Sequence, residues 1–148
     1  MQEQQSASPV ADTRMAGWVG VGYDEIEVGR RFPPQPLSIS IEDVASFYRC
    51  LGENRPKPEA GTRIPAFMLN ELRALKSQMR LPPGVLHAQE ELTMSSAARV
   101  GEALQTAVRI TDKFIRNNKR FVVVEQDVTC ATDQRAILNI RHILYWPC

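Results

Sequence analysis

The hydrophobic period changes once along the chain. Up to about residue 80 apolar positions recur at helical spacing, and beyond Gly84 they alternate. In the first part Val44, Phe47, Tyr48 and Leu51 form one stripe, which predicts a helix. Ser40 is placed to cap it, and Asp43 completes a capping box. Ile39 and Val44 occupy the two positions of a hydrophobic staple, and Gly52 is placed to stop the helix. The stretch from Glu53 to Arg63 carries Pro56, Pro58 and Gly61 and reads as loop. A second, longer helix is expected from Ile64 to Arg80, because Ile64, Met68, Leu72, Leu75 and Met79 recur at steps of four, four, three and four. Pro65 fits only its first turn, while Arg73, Lys76 and Arg80 suit its C-terminal end.

After Gly84, residues from Val85 to Met94 read as a strand. Leu104, Thr106, Val108 and Ile110 alternate with Ala103, Gln105, Ala107 and Arg109, the pattern of a half-buried strand. Asn117-Asn118-Lys119 is a turn, Arg120 to Cys130 a strand, Thr132-Asp133-Gln134 a turn and Ala136 to Trp146 a last strand. Three consecutive strands with short turns make an antiparallel meander. The apolar face of the long helix needs that sheet as cover. The expectation is therefore an α+β fold, an antiparallel sheet wrapped around a central helix. One layer of sheet leaves edges exposed, so two such units are expected to pair.

Ahead of these elements, residues 1–16 are polar and aperiodic and read as a disordered or loosely docked tail, leaving 17–148 as a single domain. Gly20-Val21-Gly22 lacks the third glycine of a dinucleotide fingerprint, since Glu25 stands there. The segment reads instead as an approach to a short strand or turn, and Pro33, Pro34 and Pro36 force an extended connection after it.

Composition narrows the function. The chain has 148 residues, with 18 basic and 17 acidic side chains and a net charge of +1, so no global field favours nucleic acid. Its longest apolar runs are short, such as Phe121-Val122-Val123-Val124, so no membrane span is expected. The opening Met1-Gln2-Glu3-Gln4-Gln5 has no basic or apolar leader region, so no signal peptide is expected. Three cysteines lie far apart with no CxxC pair, which predicts free thiols, no metal site and a cytoplasmic location.

Several segments, in order, resemble the MaoC-like hotdog family of acyl-thioester hydratases and dehydratases, nearest to its FAS1-like N-terminal half. Tyr23 to Phe32 is similar to the family's opening strand, and Ser40 to Glu53 to its first helix. Ile64-Pro65-Ala66-Phe67 resembles the start of the hotdog helix. Gly84-Val85-Leu86-His87-Ala88-Gln89-Glu90-Glu91 resembles the strand written GxLHxEQE. Arg99-Val100-Gly101-Glu102 resembles an RxGD turn, and Lys119 to Glu125 a GxxFVVVE strand. The resemblance implies a hotdog fold, no cofactor beyond a coenzyme A thioester as ligand, and a homodimer or a heterodimer with a catalytic hotdog chain. It also implies substrate contacts at Asn54, Arg55, Ile64, Ala66 and Phe67, with a backbone amide at the start of the central helix polarising the thioester carbonyl.

One departure governs the functional reading. Active members carry a loop like G-D-x-N-P-x-H, whose aspartate and histidine move protons between water and the alpha carbon. Here the loop is Gly52-Glu53-Asn54-Arg55-Pro56-Lys57-Pro58. Glu53 stands at the aspartate position and Pro58, which cannot titrate, at the histidine position. The expected function is an acyl-CoA-binding subunit that lacks its own dyad and works beside a catalytic partner.

The remaining candidates each have a plainer reading. Glu53 and His87 are the candidate bases for an active homodimeric hydratase, dehydratase or thioesterase. A carboxylate after a helix is ordinarily solvated, however, and His87 belongs to a segment that is structural in the family. His142 alternates with Leu138, Ile140 and Leu144 and reads as a satisfied core or interface histidine. Lys113, Arg116, Lys119 and Arg120 cluster at one hairpin; Arg116, Lys119 and Arg120 are the candidates for the phosphates of coenzyme A, against the plainer role of a solubilising turn. Cys50 has no histidine near it in sequence and reads as a buried thiol. A non-enzymatic acyl-thioester-binding module is the third reading.

Overall fold

The computed structural model describes residues 22–70, 79 and 81–147. The expected tail and the greater part of the expected long helix lie outside these residues. Among the described residues five strands form one antiparallel sheet: β1 (Gln35–Leu37), β2 (Leu86–Met94), β3 (Leu104–Arg116), β4 (Lys119–Cys130) and β5 (Ala136–Trp146), in the order β1-β3-β4-β5-β2. The β3-β4-β5 meander is the one the alternation predicts. Asn117 and Asn118, at φ 50° and 59°, turn β3 into β4, both left-handed as a two-residue hairpin turn with the twist of the strands requires.

Helix α1 (Ile41–Cys50) forms for local reasons. The Asp43 amide donates to Ser40 Oγ at 3.1 Å, and the Ser40 amide donates to Asp43 Oδ2 at 2.8 Å. At the other end the Gly52 amide donates to the Arg49 carbonyl (3.0 Å) and the Glu53 amide to the Tyr48 carbonyl (3.1 Å), with Gly52 at φ +69°. This Schellman arrangement needs the left-handed residue that glycine supplies, and it fixes where the following loop begins. Helix α2 (Ala66–Leu69) starts two residues later than the sequence predicts, with Pro65 capping it rather than standing in its first turn. The expected continuous helix to Arg80 is not what the described residues show: Asn70, at φ −82° and ψ 71°, leaves the helical conformation and ends α2 after four residues, Met79 is not helical either, and residues 71–78 and 80 lie outside those described. Among the described residues no helix is long and apolar enough to cross a membrane.

Two features differ from the sequence reading. The segment similar to an opening strand is a 3₁₀ turn (Tyr23–Glu25), followed by a bend at Gly29 and a single bridge from Arg31 to Arg109. It follows β3 through Phe32 N–H to Val108 O and Gly29 N–H to Ile110 O, but Pro33 and Pro34 have no amide hydrogen to continue a ladder. Pairing resumes only at Gln35, where the extended connection becomes β1. Cys50, the last residue of α1, is exposed rather than buried.

The inward face of the sheet carries two apolar clusters. One gathers Phe32, Met79, Ile110, Val124, Leu144 and Trp146, the other Leu37, Val44, Ile64, Leu69, Leu104, Val128 and Ile140. Between them runs a diagonal of inward polar residues: Thr106 on β3, Gln126 on β4 and His142 on β5, all buried, and half-buried Glu90 on β2. Gln126 Nε2 donates to Thr106 Oγ1 at 3.0 Å.

Candidate functional site

The loop after α1 is held at its far end by the segment that precedes β3. Gly61 and Ile64 amides donate to the Val100 and Ala98 carbonyls (2.9 and 2.8 Å), and the Val100 amide donates to Thr62 O at 2.8 Å. Ile64 and Leu69 are thereby buried, while Phe67 on α2 stands 77% exposed. A groove of about 550 Å³ opens between α1, this loop and α2, lined by Phe47, Tyr48, Glu53, Arg55, Arg63, Ile64, Ala66 and Phe67. Its volume is in the range of small-molecule sites. Four of the five residues named for substrate contact, Arg55, Ile64, Ala66 and Phe67, line it; Asn54 does not. Phe47 and Phe67 also wall a neighbouring groove of about 510 Å³, which reaches Asn70.

Inside the first groove Glu53 is paired with Arg55, and the Arg55 guanidinium lies over the Tyr48 ring, 4.9 Å from its centre. The carboxylate beside it holds the Arg55 guanidinium above its ordinary pKa. Pro58 is buried and faces elsewhere. It borders a separate hollow with Ile41, Glu42, Lys57, Glu59 and Ala60. The basic cluster at the β3–β4 hairpin is not part of this groove. Arg116 and Lys119 face each other across the turn, and Lys113 and Arg120 lie over Tyr23, at 5.1 and 5.7 Å. β3 runs 13 residues from Leu104, which packs with Ile64, to Arg116, so the cluster sits about 40 Å along the strand.

His87 is not near Glu53 in any contact among the described residues. It meets His142 and Glu90 instead. His87 Nε2 lies 3.1 Å from His142 Nδ1, and Glu90 Oε2 is 3.5 Å from each nitrogen. Asn70 Nδ2 donates to the other Glu90 oxygen at 2.7 Å. His142 is fully buried, as the alternation predicts, but its Nε2 has no hydrogen-bond partner among the described residues. Burial, and then the neighbouring His87, depress its pKa below the ordinary histidine value. The sequence reading assigned no metal ligand and did not join these residues. The signal that could have joined them is the inward alternation of β5 together with the histidine of the GxLHxEQE-like strand.

No protein-family profile matches the sequence, and no curated protein does either. Solved structures do. The (R)-hydratase from A. caviae involved in PHA biosynthesis superposes with TM-score 0.64 at 15% identity, over 82% of this chain and 98% of that one. A MaoC-like dehydratase from Rhodospirillum rubrum gives TM-score 0.68 at 16% identity, over 87% and 99%. The HadBC (3R-hydroxyacyl-ACP dehydratase) complex from Mycobacterium tuberculosis gives 0.59 at 14%, over 80% and 96%. The chain has the hotdog fold.

Proposed function

We propose that this chain is an acyl-CoA-binding hotdog subunit of the MaoC-like hydratase and dehydratase type, working in the cytoplasm beside a catalytic hotdog partner. The observation that carries the reading is the groove itself. It has apolar walls at Phe47, Ile64, Ala66 and Phe67 for an acyl chain, and Arg55 and Arg63 for anionic groups, but no free acid–base pair among the described residues. Glu53 is engaged by Arg55, and the residue at the expected histidine position is a proline turned into another hollow. Hydration of a conjugated thioester needs one group to take a proton from water and another to deliver one. Among the described residues this groove offers neither in usable form.

Partnering is supported by the β2 edge, which pairs with no further strand among the described residues and carries the exposed Leu86 and Leu92. The neighbour from Mycobacterium tuberculosis is itself a complex. In such a pair Arg116, Lys119 and Arg120 would serve coenzyme A phosphates in the partner's groove, since they are remote from their own. The test is a hydration assay on crotonyl-CoA with the chain alone, alongside calorimetry with octanoyl-CoA, which cannot be hydrated. Binding without turnover is expected. Turnover by the lone chain at an ordinary enzymatic rate overturns the non-catalytic assignment, and absence of octanoyl-CoA binding overturns the ligand.

A further inference from the structure

The chain's only two histidines, 55 residues apart in sequence, touch each other and share one carboxylate. The fold arranges this in two steps. Glu90 pairs directly across the β2–β5 ladder with His142, which puts both side chains on the inward face. His87 is three residues from Glu90 and would point outward in a regular strand. A register shift between His87 and Gln89 inserts one extra residue and turns His87 back to the same side.

The three donor atoms, His87 Nε2, His142 Nδ1 and Glu90 Oε2, form a triangle with edges of 3.1, 3.5 and 3.5 Å. Its centre is about 2.0 Å from every corner, the length of a zinc bond to imidazole or carboxylate. Hydrogen bonding alone does not account for the shape. Two neutral imidazoles can share one proton across 3.1 Å, but a carboxylate oxygen 3.5 Å from both nitrogens is beyond hydrogen-bond range of either. Asn70, by donating to Glu90 Oε1, orients the carboxylate as outer partners of metal ligands do.

We infer that His87, Glu90 and His142 form a binding site for a first-row divalent cation of the zinc type, with a fourth position open to water. The set is two imidazoles and a carboxylate on two paired strands, a rigid support. His87, at 36% side-chain exposure, gives access from the β2 edge, while His142 is sealed inside. The cation would tie the edge strand to the sheet. This inference is independent of the thioester reading.

The experiment uses the full chain stripped with chelator, titrated with ZnCl₂ by calorimetry and with Co²⁺ by visible absorption. One equivalent of zinc is expected to bind, Co²⁺ to give tetrahedral d–d bands, and zinc to raise the melting temperature. His87→Ala, at a partly exposed position, should fold and lose at least about 100-fold in zinc affinity together with the melting shift. Glu90→Gln provides the second variant and should weaken binding while leaving both imidazoles in place. Zinc binding by His87→Ala equal to wild type would move the site to the thiols and overturn the inference. So would the absence of saturable binding below millimolar zinc.

Discussion

Phe67 separates a binding role from a folding role. The residue is 77% exposed although it lines two grooves. A phenylalanine side chain offers roughly 150–250 Å², so about 150 Å² remains to be covered by a ligand and only about 50 Å² is covered by the chain itself. At ~25 cal/mol per Å², the covered part contributes about 1 kcal/mol to folding and the uncovered part at most about 4 kcal/mol to binding. Alanine keeps some of that contact, leaving an expected binding loss of about 2–3 kcal/mol, or roughly 30- to 150-fold in Kd. For a chain of this size a cost of ~1 kcal/mol lowers the melting temperature by about 2–4 °C. Phe67→Ala should therefore melt within a few degrees of wild type while losing most of its octanoyl-CoA affinity by calorimetry. Size-exclusion chromatography on both proteins keeps oligomeric state equal. An unchanged Kd in the folded variant would refute the groove as the acyl site. A melting loss of ten degrees or more would instead show that Phe67 belongs to the core.

Three stability predictions test the scaffold by thermal or urea unfolding. Ser40→Ala removes the side-chain half of the α1 capping box and should cost about 0.5–2 kcal/mol. Asn118, at φ 59°, should lose about 1–2 kcal/mol on replacement by alanine and nothing on replacement by glycine, whose left-handed conformation is free. Ile140, fully buried beside the polar diagonal, should cost about 2–5 kcal/mol as alanine.

What could be read from the sequence follows the range over which each feature is decided. The α1 cap is settled within three residues, so Ser40 and Asp43 announced it. The β3–β5 meander is settled by alternation and by turns such as Asn117-Asn118. β1 was hidden because it is three residues long with Pro36 in the middle, and only pairing with Leu104 to Thr106 makes it a strand. Arg55, Ile64, Ala66 and Phe67, singled out by family likeness, line one groove, and which ligand they meet is left to the assays above. The His87–Glu90–His142 cluster was not legible, because it depends on a bulge and on pairing between strands some fifty residues apart. Neither leaves a local mark. The direction of Pro58 was equally hidden: sequence places it in the loop, but only the tethering of residues 61–64 decides which way it faces.

That direction leads to a final prediction, since restoring residue types need not restore chemistry. The double change Glu53→Asp with Pro58→His restores the aspartate and histidine of the G-D-x-N-P-x-H pattern, with Arg55 still standing at its asparagine position. A well-placed general acid or base contributes about 10²–10⁴ in rate, but only within about 3 Å of the proton it moves. Position 58 is buried against Ile41 and Glu42, whereas residue 53 lines the groove with Arg55 and Phe67. A side chain built at 58 starts in the wrong hollow. It also replaces a buried apolar ring by a polar one that must find a partner there. The double variant should therefore be less stable and remain without measurable hydration of crotonyl-CoA, while keeping octanoyl-CoA binding. Gain of turnover would show that the loop swings to bring residue 58 over the groove. In that case the proposed lack of turnover would rest on the missing histidine side chain rather than on its placement.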